Sequence, residues 1–533
     1  MFSGKFPSVG SSLNIMVMQF ARIITNALLT SVVSACTGIV ESTRENQLLT
    51  SWACKKVAAY VSSASEVLYD DHPSYHRAIA HWVSSGSQNA VCVFEPGSAE
   101  DLAIAVRILG ETRTPFAVKG GGHATNPGFS STRGVHISMS RFSDVTYNPS
   151  LQTATIGAGM IWDDVYATLQ PHGVTVVGGR VSGVGVAGFT LGGGYSWLTE
   201  QYGLAVDTAS EYELVMPNGT IIAVTESSSP DLFFGLKGGF NNFGIVTKFT
   251  LRTFPQSLVW GGTLIMDETG IDPLIDATQN FIDTNHDPKA VIITIYGYLF
   301  GSQIAMSLLF YDGPNPPKGI FNDFLKIEAY QDVGTRSYLS LIQSPPVSLS
   351  SGRRGTFHTI PIVKYSRAFQ ETAVNETWRY ATQSGLNPAM ISMTMEPFLF
   401  LRELDAKMGS ASHAALPPRR TRATGAHPLV MYAAWEDPEM DEIMREALRT
   451  TSERLSANLA GMEMNTLQVQ DSCEEDPATP GSASVPPLEL YSNYAIVGTP
   501  VEDIYGDSLP RLRKIKEAID PGNVMGLAGG WKF

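Results

Sequence analysis

Cysteine is scarce in this chain, with four residues in 533, at Cys36, Cys54, Cys92 and Cys473. No two are spaced as CxxC, which excludes the common zinc patterns. The pair His72 and His76 is interrupted by Pro73 and lacks a matching acidic ligand, so no metal site is expected there. Charge is also sparse. Only 17% of residues are charged, and 37 Lys+Arg against 51 Asp+Glu leave −14 at pH 7 with no basic cluster. That balance argues against nucleic acid as a partner. No apolar stretch is long enough for stable membrane insertion. A GxSxG elbow is missing, so serine hydrolase chemistry has no support, and no solenoid-type period is present.

What the chain does have is the 43% hydrophobic content of a globular enzyme, over a length that calls for two or three structural units. From Met18 it reads MQFARIITNALLTSVVSAC, similar to a secretory signal with Arg22 before the apolar stretch and small residues Ser34 and Ala35 after it. Residues 1–49 are therefore read as signal and N-terminal tail, and the protein as secreted or in the secretory pathway. Cys54 and Cys92 flank the first folded segment. Either they pair in an oxidising compartment or they stay as buried thiols. Asn375-Glu376-Thr377 and Asn218-Gly219-Thr220 are glycosylation sequons.

Residues 90–257 alternate between strand and helix patterns. Val91–Phe94 reads as a strand, and Ser98 caps a helix that Gly110 is expected to stop. Phe116–Val118 leads directly into Gly120-Gly121-Gly122-His123. Further strands are expected at Val135–Met139, Ala154–Ile156 and Val174–Val177, and a helix at Trp162–Leu169. Tyr212–Met216 and Ile221–Thr225 flank Asn218-Gly219, a strong hairpin signal. Asp231–Leu236 and Ile245–Leu251 close this half. Beyond Pro255, Ile292–Tyr298, Ile304–Tyr311 and Leu429–Trp435 read as strands and Glu439–Leu459 as an amphipathic helix; residues 471–488 read as a polar loop. The fold class is α+β, with an antiparallel sheet in the second half carrying helices on one side.

Glycine is plentiful, at 49 residues, and much of it lies in two segments. The first is KGGGHATNPGF from Lys119, where glycines let backbone N–H groups turn inward without Cβ clashes, as a pyrophosphate requires. The second, GGRVSGVGVAGFTLGGGY from Gly178, contains the dinucleotide-type spacing Gly183-x-Gly185-x-x-Gly188, with Asp207 where a ribose-binding acid would sit. Gly192-Gly193-Gly194 follows too soon for the helix a nicotinamide-dinucleotide site needs.

Together with GGFNNFGIVTKFTLRTFP and YSNYAIVGTP…YGDSLPRLRKIKEAIDPGNVM, these segments resemble the vanillyl-alcohol oxidase superfamily, in its fungal berberine-bridge-enzyme-like branch. The resemblance covers roughly residues 50–257 and 488–528. It implies a two-part FAD-binding domain of the PCMH type at 50–257, a substrate domain at 258–487 and a C-terminal segment at 488–533 returning to the FAD domain. It further implies FAD attached covalently to His123. Val181 stands where some members carry a second, cysteine attachment, so a single link is expected. Val184 matches the position that gates oxygen, and valine there goes with oxidases. Backbone of Lys119, Gly120, Gly121, Gly122, Ala124 and Thr125, and of Gly183, Gly185 and Gly188, is expected to hold the pyrophosphate. Asp207 is expected near the flavin ring, and Gly244, Ile245 and Val246 by the adenine.

Tyr491, Asn493 and Tyr494 resemble the family's Tyr-x-Asn-Tyr motif, which implies Tyr491 as proton acceptor, Asn493 as its anchor and Tyr494 as the alternative base. In a closing strand, Tyr491 and Asn493 would share one face and Tyr494 the other. Glu436 is a solvated strand end or, less in keeping with its position, a pocket carboxylate. The expected function is oxidation of a small organic molecule, a fungal secondary-metabolite intermediate, with O2 as acceptor. The alternatives are a carbohydrate or alcohol oxidase of the same fold, or a flavin-bound cyclase without net redox.

Overall fold

The computed structural model describes residues 47–383, 385–401, 414–416, 427–471 and 488–533, with side chains up to 461 in the long helix that ends at Asp471. The leader from Met18 and nearly all of the 471–488 loop lie outside the described residues. A helix at 47–60 opens the described chain, and its Cys54 is disulfide-bonded to Cys92. The two cysteines that the sequence left either paired or free are paired.

Two sheets come from residues 66–252. The smaller runs Glu66–Leu68, Cys92–Glu95, Val135–Ser138, Phe116–Lys119, with the last three strands parallel. Helix Ala99–Thr112 follows the second of these strands and contacts Ala209–Val215 and Ile221–Val224, capped as expected by Ser98, whose side chain accepts from Asp101 N–H. The helix does not stop at Gly110. It runs to Thr112 and ends at Arg113 in the left-handed region (φ 52°). Gly110 instead faces Val524, whose methyl would lie 3.0 Å from an added Cβ. That glycine is there for packing, not for termination.

The larger sheet of this half is antiparallel throughout, in the order Val145–Asn148, Thr153–Gly157, Ile245–Arg252, Ala209–Val215, Ile221–Val224. Asn218-Gly219 closes the last hairpin, with Gly219 at φ 80°. The second glycine segment does form a helix, Val186–Leu191. It lasts six residues before Gly192 ends it, so the long helix of a nicotinamide-dinucleotide site is absent here.

A seven-stranded antiparallel sheet follows, in the order Tyr330–Arg336, Val259–Met266, Ser302–Tyr311, Ala290–Leu299, Met390–Met395, His427–Trp435, Arg354–Ile362. Strand alternation sorts its side chains by face. Ala290 and Ile292 pack in a core with helices Ile271–Thr284, Arg367–Thr382 and Asp441–Asp471. Val291 and Ile293 join the core of the first half instead. The helices therefore lie on one side, as expected, and the other face closes onto the glycine-rich half.

The C-terminal residues return to that half. Helix Leu509–Ile519 packs on Pro230–Leu236, Ala528 bridges Phe116, and Asn242 Nδ2 donates to Trp531 O at 2.9 Å.

Candidate active site

A cavity of about 400 Å³ opens where the glycine segments, the seven-stranded sheet and the C-terminal segment meet. Its first wall is backbone. A Cβ on Gly121 would lie 2.5 Å from Gly185 Cα, and one on Gly185 would lie 2.5 Å from Gly121 N. The two glycine segments thus touch main chain to main chain, at a distance no other residue type allows. Gly188, in contrast, has open space where a Cβ would be. This backbone strip fits the phosphate-bearing part of FAD, which needs inward N–H groups more than side chains.

Most of the expected cofactor residues line this cavity: Gly120, Gly121, Gly122, His123, Ala124, Thr125, Val181, Val184, Gly185, Gly188, Ile245 and Val246. Four do not. Lys119 lies beneath the loop, its Cε where a Cβ on Gly122 would go. Burial lowers its pKa, and Glu95 opposes that shift. Gly183 N–H donates to Asp163 at 2.9 Å, which shapes the turn. Gly244 lies against Val215 O. Asp207 caps the Ala205–Thr208 turn, with Leu204 N–H donating to its carboxylate at 2.8 Å. Its side chain is engaged by that local cap, and it is not among the residues that line the cavity.

His123 stacks on Trp82, with ring centroids 4.4 Å apart and planes 9° from parallel. Burial presses its imidazole down to about 4, so it is neutral at pH 7. Trp82 N–H donates to Gly122 O at 2.9 Å. The indole also meets Phe357 and Tyr432 of the large sheet, at 5.7 and 5.3 Å.

Tyr491, Asn493 and Tyr494 all line the cavity. The expected closing strand is absent. Residues 491–494 form a turn, with Tyr494 N–H donating to Tyr491 O at 3.0 Å. A turn returns residues three apart to the same side, so Tyr494 joins Tyr491 instead of pointing away. Tyr491 Oη accepts from Gly194 N–H at 3.0 Å and from Asn493 Nδ2 at 2.9 Å. Burial raises its pKa, opposed by those two donors and by the charge of Arg180.

Arg180 and Glu396 were not expected from the sequence. Arg180 Nη2 donates to Glu396 Oε1 and to Tyr494 Oη, both at 2.7 Å. Burial lifts the Glu396 pKa, and Arg180 opposes the shift. A signal did exist, because Arg180 is the one Arg, Lys, Asp or Glu between Asp164 and Glu200, and Glu396 the one between Arg379 and Arg402. Glu436 is exposed and ion-paired with Arg353, away from the cavity. No metal-binding cluster occurs among the described residues.

The FAD binding domain family matches residues 90–225. An uncharacterised FAD-linked oxidoreductase of Arthroderma benhamiae is 40% identical over 267 residues, 49% of this chain and 53% of that protein. An FAD-dependent monooxygenase of Penicillium roqueforti is 28% identical over 485 residues, 85% of this chain and 88% of that protein. The first of these matches spans about half the length of the relative. Among solved structures, the berberine-bridge-enzyme-like protein 1 of Physcomitrella patens aligns with a TM-score of 0.68 at 19% identity, over 88% of this chain and 97% of that one. At that identity the likeness speaks for the fold alone, a half with two sheets joined to a half built on the seven-stranded antiparallel sheet. Family match and relatives agree on an FAD binding domain at residues 90–225, and the fold is similar to that of the berberine-bridge-enzyme-like structure.

Proposed function

We propose that this protein is an FAD-dependent oxidase that carries its flavin on His123 and oxidises a small, largely apolar organic molecule of the secondary-metabolite kind. The observation that carries this reading is Tyr491, whose hydroxyl is fixed by two donors in the wall of the cavity that also holds His123. Bound FAD supplies a two-electron acceptor that O2 can regenerate. The protein's part is to place the substrate, exclude water and take the proton.

Tyr491 fits that last role. Donors from Gly194 and Asn493 stabilise its phenolate, and Arg180 adds positive charge close by. Because burial still holds the phenol above its ordinary pKa, turnover is expected to rise with pH above neutrality. The neutral imidazole of His123 has the free lone pair that attachment to the flavin methyl requires. Val181 offers no second attachment. Val184 on the cavity wall supports O2 as acceptor. The Cys54–Cys92 disulfide favours an oxidising compartment, in keeping with secretion. Among the described residues no helix is long and apolar enough to cross a membrane.

Acid precipitation tests the attachment. Flavin should stay with the protein pellet and move to the supernatant in His123→Ala. Tyr491→Phe should keep its flavin and lose about 10²- to 10⁴-fold in turnover. An unchanged rate would remove Tyr491 from the role. The name monooxygenase borne by the Penicillium relative suggests a second reading, in which an oxygen atom enters the product. One hydrogen peroxide per turnover supports the oxidase. Labelled oxygen recovered in the product would replace it, and turnover without O2 would indicate a cyclase.

A further inference from the structure

The cavity lining includes a segment that neither glycine motif announces. Gly529, Gly530 and Trp531 stand side by side on it. The glycines give the segment its path. A Cβ on Gly529 would overlap Gly128 O and lie 2.5 Å from Phe129 O, so the segment runs main chain to main chain along the loop that carries His123. Gly530 has φ 102°, a conformation that residues with side chains rarely adopt, and a Cβ there would lie 3.2 Å from Asn241 Oδ1. Gly121 and Gly185 meet by the same construction.

Hydrogen bonds then tie the segment to other parts of the lining. Asn241 Nδ2 donates to Gly529 O at 3.2 Å, and Asn242 Nδ2 donates to Trp531 O at 2.9 Å. Lys532 Nζ donates to Asn241 Oδ1 at 2.9 Å and so fixes the same amide from its other side. Trp531 Nε1 donates to Ser492 O at 3.1 Å, and its ring meets Phe129 edge-on at 4.8 Å. Phe129, Asn241 and Ser492 all line the cavity. The segment thus joins the His123 loop, the Phe240–Asn242 turn and the tyrosine turn.

None of these partners is on the seven-stranded sheet, which sets the segment on the cofactor's part of the cavity and not the substrate's. Phe533, the next residue, is off the lining, and its ring packs on Phe243 and Tyr505 at 5.9 and 5.2 Å. It anchors the segment from behind. We propose that residues 529–532 form a strap that holds FAD, with Gly530 and Trp531 at the contact. The strap rests on FAD binding and not on the oxidase chemistry, since a flavin-bound cyclase would need it equally. Ordering of the strap and binding of FAD are then coupled, and such coupling is reciprocal.

The test uses His123→Ala, in which FAD binds without attachment. Quenching of flavin fluorescence gives the Kd, and denaturant midpoints are taken with and without FAD. Gly530→Ala and Trp531→Leu should each weaken FAD at least about tenfold and shrink the FAD-induced rise in midpoint. Trp531→Phe, which keeps an aromatic ring, should recover to within about threefold. Phe533→Leu is the control. It should lower the midpoint equally with and without FAD and leave the Kd within about twofold. If Trp531→Leu does not fold, Gly530→Ala carries the result, because it adds one methyl and empties no core. If His123→Ala takes up no FAD, flavin per protein with His123 intact gives the same comparison.

An unchanged Kd in both Gly530→Ala and Trp531→Leu would overturn the proposal. So would an equal loss of affinity in Phe533→Leu, which would make the effect one of general stability. Failure of the oxidase reading is separate. It is seen as a protein that binds FAD but consumes no O2, and it leaves the strap standing.

Discussion

The two walls of the cavity are built on different principles. The wall formed by the glycine segments is main chain against main chain, with Gly121 and Gly185 so close that neither can carry a side chain. The wall formed by the seven-stranded sheet is made of side chains projecting from alternating strand positions, such as Ile293 and Ile295. Backbone contacts of the first kind hold a fixed group and tolerate no change. Side-chain surfaces of the second kind can be repainted without moving a strand.

The sharpest way to break that contrast is one methyl group on each wall. In Gly121→Ala the added carbon meets Gly185 Cα at 2.5 Å, and only backbone can give way. FAD content should fall more than tenfold and the fold should lose more than about 3 kcal/mol. Val430→Ala, on the sheet, should keep full flavin occupancy. Its cost should be about 1–3 kcal/mol, since it removes methyl groups from a surface that borders a cavity. Equal flavin loss in both, measured as flavin per protein, would erase the distinction.

The next effect concerns the seam between the sheet and the tyrosine segment. His358, on strand Arg354–Ile362, is 7% exposed, and Ile496 N–H donates to its Nδ1 at 3.4 Å. Burial, aided by Arg449, presses its pKa down to about 4. In the unfolded chain the imidazole titrates near 6.5. Between those values the unfolded state binds a proton that the native state refuses, so stability falls as pH drops from about 6.5 to 4. The loss from this one group is about 3 kcal/mol, complete below the folded value. Denaturant midpoints across that range should show it. His358→Asn, which keeps an acceptor but does not titrate, should flatten the slope.

Much of the backbone wall was legible in the sequence because close approach demands glycine, and glycine runs are visible. His123 and the Tyr491–Tyr494 cluster came from motif resemblance, although the cluster is a turn and not a strand. The sheet wall was harder to read. Its key carboxylate, Glu396, pairs with Arg180 of the glycine segment, 216 residues away, and nothing local in either segment announces the partner. Four of its seven strands were also missed, for physical reasons. Tyr330–Arg336 and Arg354–Ile362 are edge strands, one polar and half-exposed and the other containing Pro361, which an edge permits. Val259–Met266 contains Gly261-Gly262, which lowers strand propensity. Met390–Met395 (MISMTM) is half methionine and lacks the β-branched run that marked its neighbour Ala290–Leu299. Asp207, which the resemblance set near the flavin ring, lies off the cavity lining and caps a turn.

Trp82 crosses the divide, as the Arg180–Glu396 pair does, and it gives the finest test of whether the walls act separately. Its ring stacks on His123 of the backbone wall and touches Phe357 and Tyr432 of the sheet, while its N–H fixes Gly122 O whatever the side chain. Trp82→Leu therefore leaves the loop's backbone anchor intact and removes only the platform under the imidazole. Aromatic pairs of this kind contribute about 0.5–1.5 kcal/mol beyond their buried area, so the fold should persist with a small loss of stability. If the platform serves to orient His123, flavin should still bind, but the acid-stable fraction should form more slowly, and Trp82→Phe should restore the rate. If the two walls are independent, the acid-stable fraction will form at the wild-type rate in both variants, and the stack is packing alone.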